Sequence, residues 1–338
     1  NQGAGSVQLV SDGTVVEMPG EPPEHRYNEK VKQPSYPCVE AGGLIFSYMG
    51  PTELMPLFPR YHQLFSEDGI RVTGNGGYIE QCNVFQALHD NNMDPWHGEI
   101  AHGWFRDPPK FGSMQQAHDG KPATPVVYER TRWGTRMKVL KDAPNRPGLY
   151  QYHETHTVWP TQRVNQDNAG SIKWAMPVDD YRTRWFGVEF YPYVDGKLTE
   201  QGQQAIYQLN NPMPNITRAH NLPEDWAQQV GSYWNYGHPW RQGNIWEDEV
   251  AQQTQGPVER NYLPNWEKWH LGNSDEGLIM NRKMWVAQVA RVREGLDPVG
   301  ILRAPEDDGE IRITSDNIGG LTWGEGMELM QMTQDERS

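Results

Sequence analysis

Cysteine is almost missing from this 338-residue chain, which carries Cys38 and Cys82 as its only thiols. Two cysteines build no disulfide framework, so a reducing cytoplasm is the expected compartment. Clustered basic charge is missing as well. Thirty Lys and Arg face 44 Asp and Glu, a net charge of −14. Nucleic acid and anionic membrane surfaces both need grouped Lys and Arg, so neither is expected as a partner. No apolar run approaches the roughly 18–20 residues of a membrane span, and no secretory h-region opens the chain. Internal repeats and low-complexity segments are also lacking. What the chain does have is aromatic bulk. Fourteen Trp and fifteen Tyr supply the buried area for a sizeable core, in one large domain or two.

Residues 1–40 are polar and rich in Pro and Gly, which predicts a loop-dominated tail or linker. Leu44 to Met49 reads as a strand, closed by Gly50-Pro51. Residues 79–103 read as a helical region. From Pro125 to about Tyr193 the pattern turns to strands: Val126–Thr131, Thr135–Leu140, Tyr150–Trp159, Ile172–Met176 and Thr183–Tyr193. Short turns such as Asp142-Ala-Pro-Asn-Arg-Pro-Gly148 separate them, which implies antiparallel pairing. Helical patterns return at 223–235, 245–255 and 274–294. Strands in one block and helices in others make the expected class α+β.

One stretch concentrates chemistry: Asp90-Asn-Asn-Met-Asp94-Pro-Trp-His97-Gly-Glu-Ile-Ala-His102. Two imidazoles and a carboxylate on one side of an ion are the ligand set of mononuclear iron(II) oxygenases. Positions five apart on a regular helix point roughly 140° away from each other, so two rings so placed need a widened turn or a helix change near Gly98 to share an ion. Alone, the spacing fits a metal site and two ordinary helix histidines equally well. Pro95 suits the first turn of a new helix with Asp94 as its N-cap. For a third ligand, the 245–255 helix offers Glu247, Asp248 and Glu249, and their order in the sequence does not choose among them; an acidic first turn is also simply favoured by the helix dipole.

Asp94-x-x-His97-x-x-x-x-His102, with Asn91 before it, resembles the iron-binding signature of the Rieske non-haem iron oxygenases, in particular the catalytic α subunits of the phthalate dioxygenase-like branch. Further patches agree in order: Met18 to His25 and Tyr36 to Pro51, similar to the junction leaving the Rieske domain; Pro177–Asp180 with Thr183–Phe190; and Trp266 to Asp275. The resemblance implies an antiparallel sheet wrapped by helices in a helix-grip catalytic domain at 51–338, with 1–50 a tail of the cluster domain. It selects Asp248 over Asp275 as the third ligand beside His97 and His102, and makes Asp94 the residue that links a ligand histidine to a neighbouring subunit's cluster. Asn91 is placed near the iron. Trp174, Met176, Phe186, Val188 and Phe190 are expected as pocket walls, with an ordinary core as their other reading, and Arg182 or Arg184 as a partner for a substrate carboxylate.

The same resemblance implies Fe(II), O2 and electrons passed from NAD(P)H through a separate reductase or ferredoxin and a [2Fe-2S] Rieske cluster. A homotrimer acting on a small aromatic, possibly carboxylated, substrate would follow, with dioxygenation, monooxygenation and O-demethylation all open. Such a cluster takes two Cys and two His, in this family as Cys-x-His and Cys-x-x-His. Cys38 and Cys82 sit in neither motif, so the expected cluster belongs to a missing N-terminal domain or a neighbouring subunit. Two other classes are open: a zinc hydrolase with Glu99 as base, although Glu99 is not placed as in His-Glu-x-x-His, and a helix-grip protein that only binds an apolar ligand.

Overall fold

In the computed structural model the described residues are 8–9, 11–73, 79–95, 97, 125–143, 146–165, 170–210, 248, 251–253, 270–313 and 315–333. Their strands are β1 Gln8–Leu9, β2 Val15–Glu17, β3 Cys38–Ala41, β4 Leu44–Ser47, β5 Arg60–Tyr61, β6 Gly69–Thr73, β7 Ile79–Glu80, β8 Val126–Arg130, β9 Gly134–Asp142, β10 Tyr150–Val158, β11 Gln162–Asn165, β12 Gly170–Asp179, β13 Arg182–Val194, β14 Lys197–Leu198, β15 Glu310–Ile311 and β16 Asn317–Leu321. The helices are α1 His62–Phe65, a π-helical run Phe85–Asp90 continuing into α2 Asn91–Met93, then α3 Glu200–Asn210, α4 Glu276–Arg293 and α5 Trp323–Gln331.

Strands β8 to β14 lie side by side in chain order, with β6 and β7 on the far edge of β13 and β16 on β10. All pairings in this sheet are antiparallel, as short connections dictate. The expected α+β class with a helix-wrapped antiparallel sheet is what forms.

Side chains on successive strand residues point to opposite faces, and each face meets different elements. On β11, β12 and β13 the even-numbered residues Val164, Ile172, Trp174 and Val188 join Ala41, Tyr61 and Leu64 in the largest core cluster, with Phe46 and Phe58 packed against it. The β3–β4 hairpin and α1 thus close one face. The odd-numbered face meets the helix of residues 85–93: Val84, Ala87 and Leu88 pack on Ala175 and Trp185, and Met93 on Met137 and Val139. The helix therefore crosses the sheet obliquely, from β13 at its start to β9 at its end.

Four polar links pin it there. Asn92 Nδ2 donates to Thr157 Oγ1 at 2.8 Å, and Thr155 Oγ1 donates to the Asn92 carbonyl at 3.1 Å. Asn281 on α4 donates to the His89 carbonyl at 3.3 Å. Arg282, also on α4, grips both oxygens of Asp90 at 3.0 and 2.8 Å. Gly277 lets α4 come this close, because a Cβ there would meet the Tyr128 ring at 2.3 Å.

The Arg282 side chain is 1% exposed and that of Asp90 11%. Removing one member of such a pair strands a buried charge, whereas removing both does not. Arg282→Met is expected to cost about 3–5 kcal/mol in urea unfolding, and Asp90→Leu combined with Arg282→Met to recover much of that loss. Equal losses in single and double variants would show that the two side chains are not coupled.

Candidate metal centre

Proline begins the site. The residue before a proline is pushed out of the helical region by the ring, and Asp94 sits at φ −103°, ψ 101°. This ends α2 and turns Asp94 into the cap of the next turn, in which Pro95 and His97 are helical. The cap geometry expected from the sequence is present: the His97 backbone N–H donates to Asp94 Oδ1 at 3.3 Å. A π-helical stretch is present nearby. It occupies Phe85–Asp90, upstream of both histidines, while Gly98 and His102 lie outside the described residues.

The same turn fixes the chemistry of His97. Its Nδ1 is 2.5 Å from the Asp94 carbonyl oxygen. A carbonyl only accepts, so Nδ1 carries the proton and Nε2 holds the lone pair, the form a metal requires. That Nε2 lies 3.7 Å from Asp248 Oδ1, and both side chains are about one-quarter exposed. Two donors bound to one ion at about 2.1 Å stand no more than about 4.2 Å apart, so a neutral imidazole and a carboxylate at this separation fit a shared ion. Among the described residues no three His, Cys, Asp or Glu side chains gather into a metal-binding group; the structure brings together His97 and Asp248, two residues distant in the chain.

Asp248 is held from the other side. Gln86, 2% exposed, accepts from the Asn83 N–H at 3.2 Å, and its Nε2 donates to the Gln252 carbonyl at 3.4 Å. Gln252 lies four residues beyond Asp248, so this amide ties the Asp248 segment to the helix that leads into His97. Asn91 accepts from Arg163 Nη1 at 3.2 Å. Burial raises the Tyr128 phenol, and the Asp94 charge adds to that shift.

The expected pocket walls lie on the even-numbered face of β12 and β13. Trp174 and Phe186 stack in the core cluster on the even-numbered face, and Phe190 meets His62 edge-on at 5.1 Å. Met176 is exposed near the end of β12, where Thr161 Oγ1 donates to its sulfur at 3.7 Å. Arg182 pairs with Asp179 at the surface, and Arg184 shares the even-numbered face. The parity of β12 and β13 separates all of these from the 85–93 helix. Sequence reasoning missed Gln86, Gln252 and Arg163, whose roles arise from cross-chain pairing; Asn92, fixed to Thr157, was the signal that would have picked the odd-numbered face.

Behind the helix, His89 is packed among Trp159 at 5.5 Å, Trp285 at 5.2 Å and Phe85 at 5.4 Å. Its Nε2 is 3.1 Å from the Pro160 carbonyl oxygen and 3.2 Å from Trp285 Nε1. Burial lowers its pKa to about 3, against the opposing pull of the Pro160 carbonyl.

This architecture is shared with an oxygenase of known structure. The crystal structure of dicamba monooxygenase bound to dicamba aligns over 86% of this chain and 78% of that one, with a TM-score of 0.51 at 12% identity. Among curated proteins the chain is 27% identical over 322 residues to the phenoxybenzoate dioxygenase subunit alpha of Ectopseudomonas oleovorans (91% of this chain, 69% of the relative). It is 35% identical over 318 residues to the tert-butanol monooxygenase / tert-amyl alcohol desaturase oxygenase subunit of Aquincola tertiaricarbonis (88% and 61%). It is 24% identical over 299 residues to the 5,5'-dehydrodivanillate O-demethylase oxygenase subunit of a Sphingobium strain (87% and 62%). The chain thus spans about two thirds of the length of these relatives. No family model matches it. Along most of its length the chain is thus similar to oxygenase subunits, and these relatives favour neither the zinc hydrolase nor the passive binding reading. No helix among the described residues is long and apolar enough to cross a membrane.

An unfolded chain protonates the imidazole of residue 89 near pH 6.5, whereas the folded one resists until about 3. Below 6.5 the unfolded state therefore binds more protons, and stability falls as pH drops toward 3. The urea midpoint of His89→Leu should decline less between pH 7 and pH 5 than that of the parent; matching slopes would mean that residue 89 does not resist protonation.

Proposed function

We propose that this chain is the catalytic portion of an oxygenase in which His97, His102 and Asp248 hold Fe(II) and an aromatic substrate is oxygenated beside it. The carrying observation is the 3.7 Å approach of His97 Nε2 to Asp248 Oδ1, with His97 Nδ1 already committed to the Asp94 carbonyl. Bound between two imidazoles and a carboxylate, iron supplies open coordination positions and one-electron chemistry toward O2. Electrons would come from NAD(P)H through a reductase or ferredoxin and a Rieske [2Fe-2S] cluster carried by a preceding domain or a neighbouring subunit.

The chain's own residues have separable tasks in this reading. Asp94 keeps His97 in the tautomer that presents a lone pair, and its carboxylate holds the His97 turn in place. Asp248 contributes the negative charge that offsets a dication. Gln86 keeps the Asp248 segment in register with the histidine segment, and Asn91 orients Arg163 at the edge of the site. Residues 1–50 are read as the tail of the cluster domain and 51–338 as the catalytic unit. Family practice adds a trimer in which Asp94 passes electrons from the adjacent subunit's cluster to a ligand histidine. Relatives named for dioxygenation, monooxygenation and O-demethylation support oxygenation as the shared reaction class.

His97→Ala and Asp248→Ala should each strip the iron, measured by elemental analysis, while circular dichroism stays that of the parent; full iron in Asp248→Ala removes that residue from the site. Asp94→Asn keeps the backbone carbonyl, so iron should remain. Its product formation with the electron donor should fall roughly 10–100-fold, the usual cost of losing a group that supports a metal ligand. Parental turnover in Asp94→Asn would end the electron-linking role.

A further inference from the structure

The 85–93 helix packs against the sheet on one side and α4 on the other, and its contacts recur at intervals of five. Leu88 shares a cluster with Ala175 and Trp185 on the sheet. Met93, five residues on, shares one with Met137 and Val139. Ala87 also lies in the Ala175 cluster, and Asn92, again five on, donates to Thr157 at 2.8 Å. The side against α4 repeats the interval. Phe85 meets the Trp285 ring at 5.1 Å, and Asp90 accepts from Arg282 at 3.0 and 2.8 Å. Positions five apart on an α-helix point roughly 140° away from each other, so regular turns would not seat all three pairs. The π-helical run Phe85–Asp90 closes each turn with one residue more, which brings positions five apart onto one face.

The run also lies between the two halves of the candidate metal centre. Gln86, near its start, donates to the Gln252 carbonyl at 3.4 Å and so holds the Asp248 segment. His97 departs from its far end, where α2 stops at Met93 and Asp94 turns away. The angle accumulated between Gln86 and Met93 therefore sets the direction of His97 relative to Asp248. Their facing atoms, Nε2 and Oδ1, are 3.7 Å apart. One residue of an α-helix amounts to about 100° of rotation and about 1.5 Å of rise. Two donors that share an ion stand no more than about 4.2 Å apart, so a change of that size separates them.

Resting on the metal reading above, we propose that the wide turns at Phe85–Asp90 are a register device that sets His97 against Asp248, so that metal affinity depends on the number of residues in this run. The run acts through the segments at its two ends: on Asp248 through Gln86 and Gln252, on His97 through Asn92 and Asp94. Taking one residue out leaves two choices. If the far end keeps its bonds to Arg282 and Thr157, Gln86 turns away from Gln252. If Gln86 keeps its bond, His97 turns away from Asp248. Either way the two ligands part.

The test titrates cobalt(II) into the metal-free full-length chain and follows its visible absorption. Three proteins are compared: the parent, a variant lacking Ala87, and Leu140→Ala, a control that opens the core beneath α5 where Leu140 packs with Tyr152 and Met330. Deletion of Ala87 should weaken cobalt binding at least about tenfold, the scale of losing a group that supports a metal ligand, and alter the spectrum. Leu140→Ala should lower the urea midpoint and leave affinity and spectrum parental. Parental affinity and spectrum in the deletion variant overturn the proposal, as does an equal loss of affinity in Leu140→Ala, which would make stability the cause. If the deletion variant does not fold, a crystal structure of the cobalt-loaded parent decides. Wide turns at 85–90 with cobalt on His97 and Asp248 uphold the proposal, and regular α turns with cobalt on the same two residues sink it alone. Cobalt absent from both residues in the parent overturns the metal reading, and this inference falls with it.

Discussion

A single pyrrolidine ring sets the geometry on which the candidate centre depends. Pro95 forbids Asp94 the helical conformation, and the chain leaves α2 at that residue. Had the helix continued, the Asp94 carbonyl would have been directed at a backbone N–H four residues on. Released, it meets the ring of His97 instead, while the carboxylate of the same residue caps the new turn. One residue thereby satisfies two donors of His97 and leaves the other ring nitrogen, Nε2, directed toward Asp248. The tautomer follows from backbone geometry and needs no further charge.

A histidine aimed this accurately keeps its direction only if the helix that precedes it cannot shift. The 85–93 helix is held by groups of different kinds on different sides. Apolar contacts with Ala175 and Trp185 seat its start on the sheet, hydrogen bonds from Asn92 and Thr155 lock its end, and the Asp90–Arg282 pair ties its back to α4. His89 fills the space between, neutral in an aromatic cage. Burying a hydrogen-bonding ring and an ion pair costs solvation, and a purely apolar back would be at least as stable. What polar groups add is direction: each bond has one acceptable angle and distance, so rotation of the helix breaks several at once. The π-helical turns at Phe85–Asp90 belong to the same account, since wider turns change which residues share a face and place Gln86 toward Gln252 and Asp90 toward Arg282.

Much of this was legible in the chain, and what was not has identifiable causes. The block of strands, its antiparallel order, the long last helix at 274–294 (Glu276–Arg293 in the structure) and the Asp94–Pro95 cap all follow from local rules of turn, period and proline chemistry. The strand Gln162–Asn165 escaped, because four mostly polar residues carry no alternation and are made extended by partners on both sides. Helix Trp323–Gln331 escaped for its two glycines, although Thr322 and Glu325 form the capping box that marks such a start. The helices expected at 223–235 and over most of 245–255 lie outside the described residues. The site was legible where ligand and cap are neighbours in sequence and illegible where they meet across the fold, as Gln86 does Gln252.

The side of the sheet that the 85–93 helix covers could not be read from the strands themselves. Alternation reveals a face only when one side is wet, and here both are covered: the β3–β4 hairpin and α1 close the even-numbered face, the 85–93 helix crosses the odd-numbered one. With two covered faces, hydrophobicity points to the greasier one, and Trp174, Phe186, Val188 and Phe190 are greasier than Arg163, Lys173 and Ser171. That is also the physical sense of the arrangement. The apolar face is filled by the chain's own aromatic rings and has no need of a ligand, whereas half-buried cations and hydroxyls are costly to bury without polar company. A one-residue change of register in β12 would exchange the residues of the two faces.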